Sequence, residues 1–326
     1  MSSTEKLISE IDITAYPATS VSRVWLHIIE DEFGQSCQIP VMIMQGAQPG
    51  PVLGLTAAVH GNELNGISVI HNLFRQVRPK ELSGTIVAFP AVNVPGLKAG
   101  TREFPDGIDL NRIMPGTGGR RHGELYANTF FEKAIQGKLN YLLDLHTASQ
   151  GRINSFYIRA DLSNEESGIL AELQNAEIIV HSPPADGTLR GAAADVGIPS
   201  ITLEVGNPDV IQKSMTRSGT EGILNVLHFS GMLKGEIKAP EEQAVYCSHS
   251  VWLYTDQGGM LSVKPRLAAE IQEGHLLATL HDIFGNPVRE FQAEQRAFVI
   301  GKSVKPFNMS GGRIIHLGFP GEVTPN

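Results

Sequence analysis

Ala57-Ala58-Val59-His60-Gly61-Asn62-Glu63-Leu64-Asn65-Gly66 is the stretch on which the fold turns. Residues 52–59 are almost continuously apolar, as a strand covered on both faces would be, and the run stops on a histidine. A glycine turn follows. From Glu63 onward Leu64, Ile67, Ile70, Leu73 and Phe74 recur at helical spacing until Pro79 closes the pattern. A strand end meeting a helix start is where open α/β sheets bind ligands. One imidazole (His60) and one carboxylate (Glu63) at that mouth are suited to be two of the three protein ligands of a catalytic zinc, which keeps its fourth position open.

Working outward, residues 21–29 and 38–45 flank Asp31-Glu32-Phe33-Gly34 and predict an antiparallel hairpin at a sheet edge. Residues 85–90, 141–146, 177–181 and 200–206 predict further strands. Helices are expected over 124–135, 164–174, 189–196 and 219–233, with Ser163 and Glu166 forming a capping box for the second of these. Strands alternating with helices argue for a largely parallel sheet covered by helices. Residues 91–123, by contrast, are rich in Gly, Pro, Asn and Arg and carry little periodicity. A stretch that long without its own pattern is usually functional or disordered, and Arg102, Asp109, Asn111 and Arg112 favour the former.

The texture changes near residues 235–243. Beyond it come short β-prone runs between glycine turns, which predict a small all-β domain over 241–326 after an α/β domain over 1–240. Residues 258–264 lack the Met-Lys-Met tip of a biotin carrier, so this module reads as a packing, lid or oligomerisation surface, and a homo-oligomer is compatible with it.

Bulk properties exclude several classes. Of the 326 residues 41% are hydrophobic and 18% charged, the profile of an ordinary globular chain. The formal charge of −8 argues against nucleic acid as a partner but leaves room for an anionic substrate held by local arginines. Cys37 and Cys247 are far apart and in no ligand-like spacing, which suits a reducing compartment. The first residues lack a secretory signal and no apolar run nears the roughly 20 residues of a membrane span, so a cytoplasmic location without a membrane partner is the expectation.

His146 also ends an apolar strand, which makes it the candidate third ligand. Asp144 lies two residues earlier on the same strand face and could orient a neighbouring ligand from behind, or serve structure alone. Glu204 sits inside Ile-Thr-Leu-Glu-Val-Gly, a costly place for a carboxylate without a partner. Beside a metal-activated water it would be a general base. Its plainer alternative is an ion pair with Arg190. Asn111 and Arg112 put a planar amide beside a guanidinium, a pair suited to gripping a carboxylate, and Arg102 and Arg190 could hold a second acidic group or polarise a carbonyl. His181, His316 and the other histidines have no ligand-like companions and are assigned structural or surface roles.

His60-Gly61-Asn62-Glu63, Asp109-Leu110-Asn111-Arg112, Asp144-Leu145-His146-Thr147 and Glu204-Val205-Gly206 together resemble, in order, the motifs of the succinylglutamate desuccinylase/aspartoacylase family. The resemblance spans roughly residues 50–230 and implies a fold similar to the zinc carboxypeptidases, with a barrel-sandwich module behind it. It implies one Zn2+ per subunit on His60, Glu63 and His146, Glu204 as base, and a substrate carboxylate on Asn111 and Arg112. It also implies an upstream arginine, for which Arg102 is the nearest candidate, and a C-terminal tyrosine, for which Tyr254 is. The expected activity is zinc-dependent hydrolysis of the amide bond of a small anionic N-acylated amino acid, of deacetylase or desuccinylase type. A metallocarboxypeptidase acting on short or cell-wall peptides, and a non-catalytic binding protein on the same fold, are the alternatives.

Overall fold

The computed structural model describes residues 6–119, 121–184, 187–321 and 323. Four parallel strands form its centre, in the spatial order Ser83–Phe89, Gln48–Ala57, Tyr141–His146, Ser200–Val205. The expected edge hairpin is present as Ser20–Glu30 and Ser36–Gln45, paired antiparallel, with the short strand Lys6–Ile8 added outside it.

Both faces of this sheet are covered, for the reason the near-continuous apolar strands suggested. Leu143 and Leu145 pack on one side with Val69, Ile70 and Leu73 of the Asn65–Gln76 helix and Ile223 and Val226 of the Lys213–Phe229 helix. Leu142 packs on the other with Phe130 and Ala134 of the His122–Ala134 helix and Leu189 of the Leu189–Asp195 helix. Successive strand residues point to opposite faces, so Asp144 and His146 share the face of Leu142.

Several local expectations shift. The strand ends at Ala57 and the helix begins at Asn65, so His60 and Glu63 both lie in the connecting turn. Ala58 enters that turn with φ +48°, a left-handed conformation uncommon for a residue with a Cβ. Gly61 then runs so close to the backbone of the Val94–Ala99 helix that a Cβ there would overlap Gly96 and the Leu97 nitrogen. The Glu165–Glu172 helix is capped by Asn164, whose side chain accepts from the Ser167 N–H, while Ser163 bonds Asp161 instead. Residues 185–186 of the loop before the Leu189–Asp195 helix lie outside the described residues, as do residues 1–5.

The strand Phe156–Ala160, unmarked in the sequence, inserts between Ser200–Val205, to which it is antiparallel, and Ile178–His181, to which it is parallel. It makes the sheet mixed, although still mostly parallel at its centre. Val245–Tyr254 continues the same sheet by pairing parallel with Ile178–His181. Arg313–Pro320 and Ala297–Ser303 follow, and Arg152–Asn154 folds back to pair with Ala297–Ser303. Hydrogen bonding therefore runs from the α/β part into the C-terminal β strands. A separate four-stranded sheet, from Gly259–Val263, Leu276–His281, Pro287–Gln292 and Phe307–Asn308, packs over its own core of Leu261, Leu277, Leu280 and Phe291. Among the described residues no helix is long and apolar enough to cross a membrane.

Candidate active site

The register of four neighbouring strands sets out the site. Thr56, Asp144, Thr202 and Arg159 stand in one rank across the sheet, and His146, Glu204 and Tyr157 in the next. Both ranks lie at the carboxyl ends of the parallel strands, where the turn carrying His60 and Glu63 closes over them.

His60, Glu63 and His146 are buried, and one ligand-type atom from each lies within 4.8 Å of the others. His60 Nδ1 is 2.8 Å from Glu63 Oε1, and His146 Nδ1 is 3.0 Å from Glu63 Oε2. The two Nδ1 atoms face each other at 3.1 Å. Only one proton can sit between two ring nitrogens at that distance, so the arrangement suits a shared cation better than a hydrogen bond. Each ring is held from behind by a carboxylate: Asp144 Oδ2 at 2.8 Å from His146 Nε2, and Asp109 Oδ1 at 3.1 Å from His60 Nε2. With Nε2–H donating to these carboxylates, both Nδ1 lone pairs are directed at the common point. Two imidazoles and a carboxylate, all deprotonated at that point, are a donor set that fits zinc.

The supports are themselves supported. Asp144 Oδ1 accepts from Thr56 Oγ1 at 2.7 Å, and the Thr147 N–H donates to Glu63 Oε2 at 2.9 Å. Arg102 spans the cluster, donating to Asp109 Oδ2 from Nε and Nη2 at 3.2 and 2.9 Å, to Glu63 Oε1 at 3.0 Å and to Ser149 Oγ at 2.7 Å. Desolvation opposes ionisation of Glu63, but the charge of His60 and hydrogen bonds from both histidines outweigh it, so its carboxyl is held well below the ordinary range. His146 shows the mirror image. Desolvation disfavours its cation, yet the charge and hydrogen bond of Asp144, with Glu63 added, push it well above the ordinary imidazole value. The pocket stabilises positive charge. Asp144→Asn is expected to weaken zinc affinity by about 10- to 100-fold, measured by competition with a chromophoric chelator.

Glu204, 14% exposed, accepts from Asn154 Nδ2 at 3.2 Å. Its nearest cation is not Arg190 but Arg159, at 3.8 Å. Burial raises the Glu204 carboxyl above its ordinary value, and Arg159 holds part of that rise back. Arg190 is buried and donates to the Ser182 and Pro183 carbonyls and to Ser182 Oγ. Desolvation and then the charge of Arg159 bring its guanidinium down to about 10. It therefore lines the cavity while anchoring a loop.

Asn111 Oδ1 accepts from the Leu189 N–H at 2.8 Å, which fixes the amide orientation and leaves its Nδ2 for the cavity. Arg112, exposed beside it, donates to the Asn111 carbonyl. These two groups, the metal-type cluster, Glu204, Arg102 and Arg190 all line one cavity of about 570 Å³. Asp144 stands behind His146.

The cavity also holds residues that the sequence reading passed over: Arg152, Asn154, Tyr157, Arg159, Trp252 and Arg313. Arg159 had a usable signal, a charge inside the apolar strand Phe-Tyr-Ile-Arg-Ala, just like Glu204 in its own strand. Trp252 and Arg313 had none, because their place depends on the C-terminal strands joining the main sheet. His316, assigned a structural or surface role, lines the cavity stacked on Trp252, with ring centroids 4.9 Å apart and planes 8° from parallel. Tyr254 does not line it; it is 48% exposed and its hydroxyl meets Arg313 Nε at 3.4 Å.

A mixed sheet with a His–Glu–His group at its carboxyl edge defines an α/β protein with a candidate mononuclear metal centre. The chain belongs to the succinylglutamate desuccinylase/aspartoacylase family, whose catalytic-domain model matches residues 49–230. It is 24% identical over 270 residues, 79% of this chain and 78% of the relative, to an N-alpha-acetyl-L-2,4-diaminobutyric acid deacetylase of Halomonas elongata. It is 30% identical over 173 residues, 48% of this chain and 51% of the relative, to a succinylglutamate desuccinylase of Pseudomonas paraeruginosa. Among solved structures, a succinylglutamate desuccinylase/aspartoacylase from Rhodobacter sphaeroides superposes with a TM-score of 0.86 at 21% identity, covering 98% of this chain and all (100%) of that one. The product-bound ectoine utilization protein EutE of Ruegeria pomeroyi superposes with a TM-score of 0.83 at 23% identity, covering 93% and 97%.

Proposed function

We propose that this protein hydrolyses the amide bond of a small N-acylated amino acid, with zinc held by His60, Glu63 and His146 and with Glu204 as general base. Residues 1–240 carry this apparatus, and 241–326 complete the cavity wall. The observation that carries the reading is the register that stands Glu204 beside His146 on the same sheet face, next to three converging donor atoms. When bound, zinc supplies a Lewis acid for the amide carbonyl and lowers the pKa of water toward about 7.

The side chains do the rest. Glu204 takes the proton of the attacking water and returns it to the departing amine nitrogen, a cycle helped by a carboxyl already raised by burial. Asn154 holds Oε2 of Glu204, and Arg159 stands 3.8 Å from its Oε1. Asn111 Nδ2 and the Arg112 guanidinium grip the α-carboxylate and set the amide in place. A cavity of about 570 Å³ suits a small acylated amino acid.

The test is a panel of N-acetyl, N-succinyl and N-formyl amino acids against the zinc-loaded protein, with unblocked dipeptides beside them. Hydrolysis of N-acyl amino acids, lost on chelation and restored by zinc, is the expected result. Cleavage of the dipeptides alone would make the protein a carboxypeptidase, and no turnover with zinc bound would make it a binding protein.

A further inference from the structure

Asn154, Tyr157 and Arg159, side chains from one short segment, converge on Glu204. Asn154 donates to its Oε2 at 3.2 Å, Arg159 Nε stands 3.8 Å from Oε1, and Tyr157 hydrogen-bonds the carboxylate as well. Strand register puts them there. Tyr157 stands opposite Glu204 and Arg159 opposite Thr202, so Arg159 reaches Glu204 along the diagonal of an antiparallel pair. A slip of one residue would turn both side chains to the other face of the sheet. Contacts with the C-terminal strand Ala297–Ser303 oppose such a slip. Asn154 pairs with Gly301, and Ser155 donates to the Ile300 carbonyl from both its N–H and its hydroxyl. The approach is close, because a Cβ on Gly301 would overlap the Asn154 amide oxygen.

The geometry is not that of an ion pair that merely ties two strands together. Such a pair closes to a charge-assisted hydrogen bond of about 2.7–2.9 Å, whereas this one stays apart. Arg159 Nε donates instead to the Tyr157 hydroxyl at 3.2 Å, and its Cζ lies 5.5 Å from the Tyr157 ring centroid. That ring is 2% exposed and meets His316 edge-on with centroids 6.1 Å apart, so the hydroxyl is fixed in place. Burial, with the charge of Glu204 added, holds the phenol well above its ordinary value against the pull of Arg159. It therefore remains a neutral O–H. Having accepted from Arg159, it has one proton to give, and it gives it to Glu204. Of the roughly four lone-pair sites of a carboxylate, Asn154 and Tyr157 fill one each. Arg159 adds a countercharge to a carboxylate in an apolar strand without filling another. Among the described residues Glu204 is its only ion-pair partner, and Tyr157, Arg159 and Glu204 all line the cavity.

We propose that Arg159 and Tyr157 are positioning residues for the proton transfer. Arg159 supplies the countercharge that holds the Glu204 carboxylate in the cavity, and the Tyr157 hydroxyl keeps the guanidinium from closing onto it. This rests on the reading of Glu204 as general base. When the attacking water gives its proton to Glu204, an O–H bond of water breaks and a carboxyl O–H bond forms. Arg159 is then left facing a neutral group. Transfer of that proton to the departing amine nitrogen restores the ion pair, so Arg159 favours the return step and resets the base.

Kinetics and infrared spectroscopy on the zinc-loaded full chain test this, with the most rapidly hydrolysed member of the N-acyl panel as substrate. Arg159→Met is expected to lower kcat by about 10- to 100-fold, the cost of a misplaced reacting group, with KM nearly unchanged. Arg159→Lys keeps the charge and should recover part of that loss, and Tyr157→Phe should lower kcat in the same sense. In a Glu204→Gln background, Arg159→Met should cost no more than about a further twofold, because the two side chains act as a unit. For each protein, the difference spectrum against its Glu204→Gln counterpart isolates the Glu204 carboxylate band. The band should move in Arg159→Met and Tyr157→Phe and return toward its wild-type position in Arg159→Lys. A raised KM at full kcat would make Arg159 a substrate contact, and equal losses with and without Glu204 would place its effect elsewhere. Either result overturns the proposal, as does an unmoved band. Near-normal turnover of Glu204→Gln would end the general-base reading and the proposal with it. Loss of activity in Glu204→Gln beside full kcat and an unmoved band in Arg159→Met would end the positioning role alone.

Discussion

Glu204→Gln is expected to lower kcat by about 100- to 10,000-fold, the range for losing a positioned general base, while leaving zinc content unchanged. Glutamine has nearly the same shape and keeps an oxygen for the Asn154 amide to reach. It lacks a carboxylate that can accept a proton. The three donor atoms come from His60, Glu63 and His146, so the substitution leaves the proposed ligand set whole. Zinc analysis beside the rate assay separates the two effects. Near-normal turnover with zinc bound would remove Glu204 from the chemistry and leave it as the ion-pair partner of Arg159.

His60→Ala is expected to cost stoichiometric zinc and, with it, hydrolysis. The loss should exceed the roughly 10- to 100-fold in affinity expected for partners that stand behind a ligand, because a donor itself is removed. The surroundings are equipped to survive the change. Asp109 keeps two bonds from Arg102 and one from the Asn111 N–H, and Glu63 keeps Arg102 and the Thr147 N–H. The variant should therefore fold, which circular dichroism would verify while metal analysis after dialysis reads the site. Full zinc occupancy in a folded His60→Ala protein would exclude the proposed ligand set.

The two variants also probe what was legible in the chain. His60, Glu63, His146 and Glu204 stood out because each interrupts an apolar strand or its turn, where a polar group is expensive unless it has work to do. Asp109 stood out as part of a functional loop and of the Asp109-Leu110-Asn111-Arg112 motif, but without a role of its own. Its bond to His60 spans 49 residues of chain, and no local pattern encodes such a pairing. Arg102 was expected to meet substrate, yet its guanidinium braces Glu63 and Asp109. An arginine in an irregular loop announces a charge but not its partner. The exchange of Ser163 for Asn164 as helix cap is the same lesson at short range, since neighbouring residues with similar capping chemistry compete and Asp161 took the serine.

By itself the sequence determined the alternation of strands and helices, the covered parallel centre and the turn that brings His60 beside Glu63. These follow from the periodicity of burial and from turn chemistry, which act over a few residues. Only the tertiary structure decided that Phe156–Ala160 enters the sheet antiparallel and sets Tyr157 and Arg159 beside Glu204. Only it brought Val245–Tyr254 and Arg313–Pro320 onto the same sheet, so that Trp252 and Arg313 reach the cavity. Those outcomes depend on strand order, a choice among distant partners of similar local pattern. The metal-type cluster arises largely where neighbouring strands end. Trp252 and Arg313, which line the same cavity, come from segments more than 90 residues beyond His146 in the chain, and only folding puts them within reach.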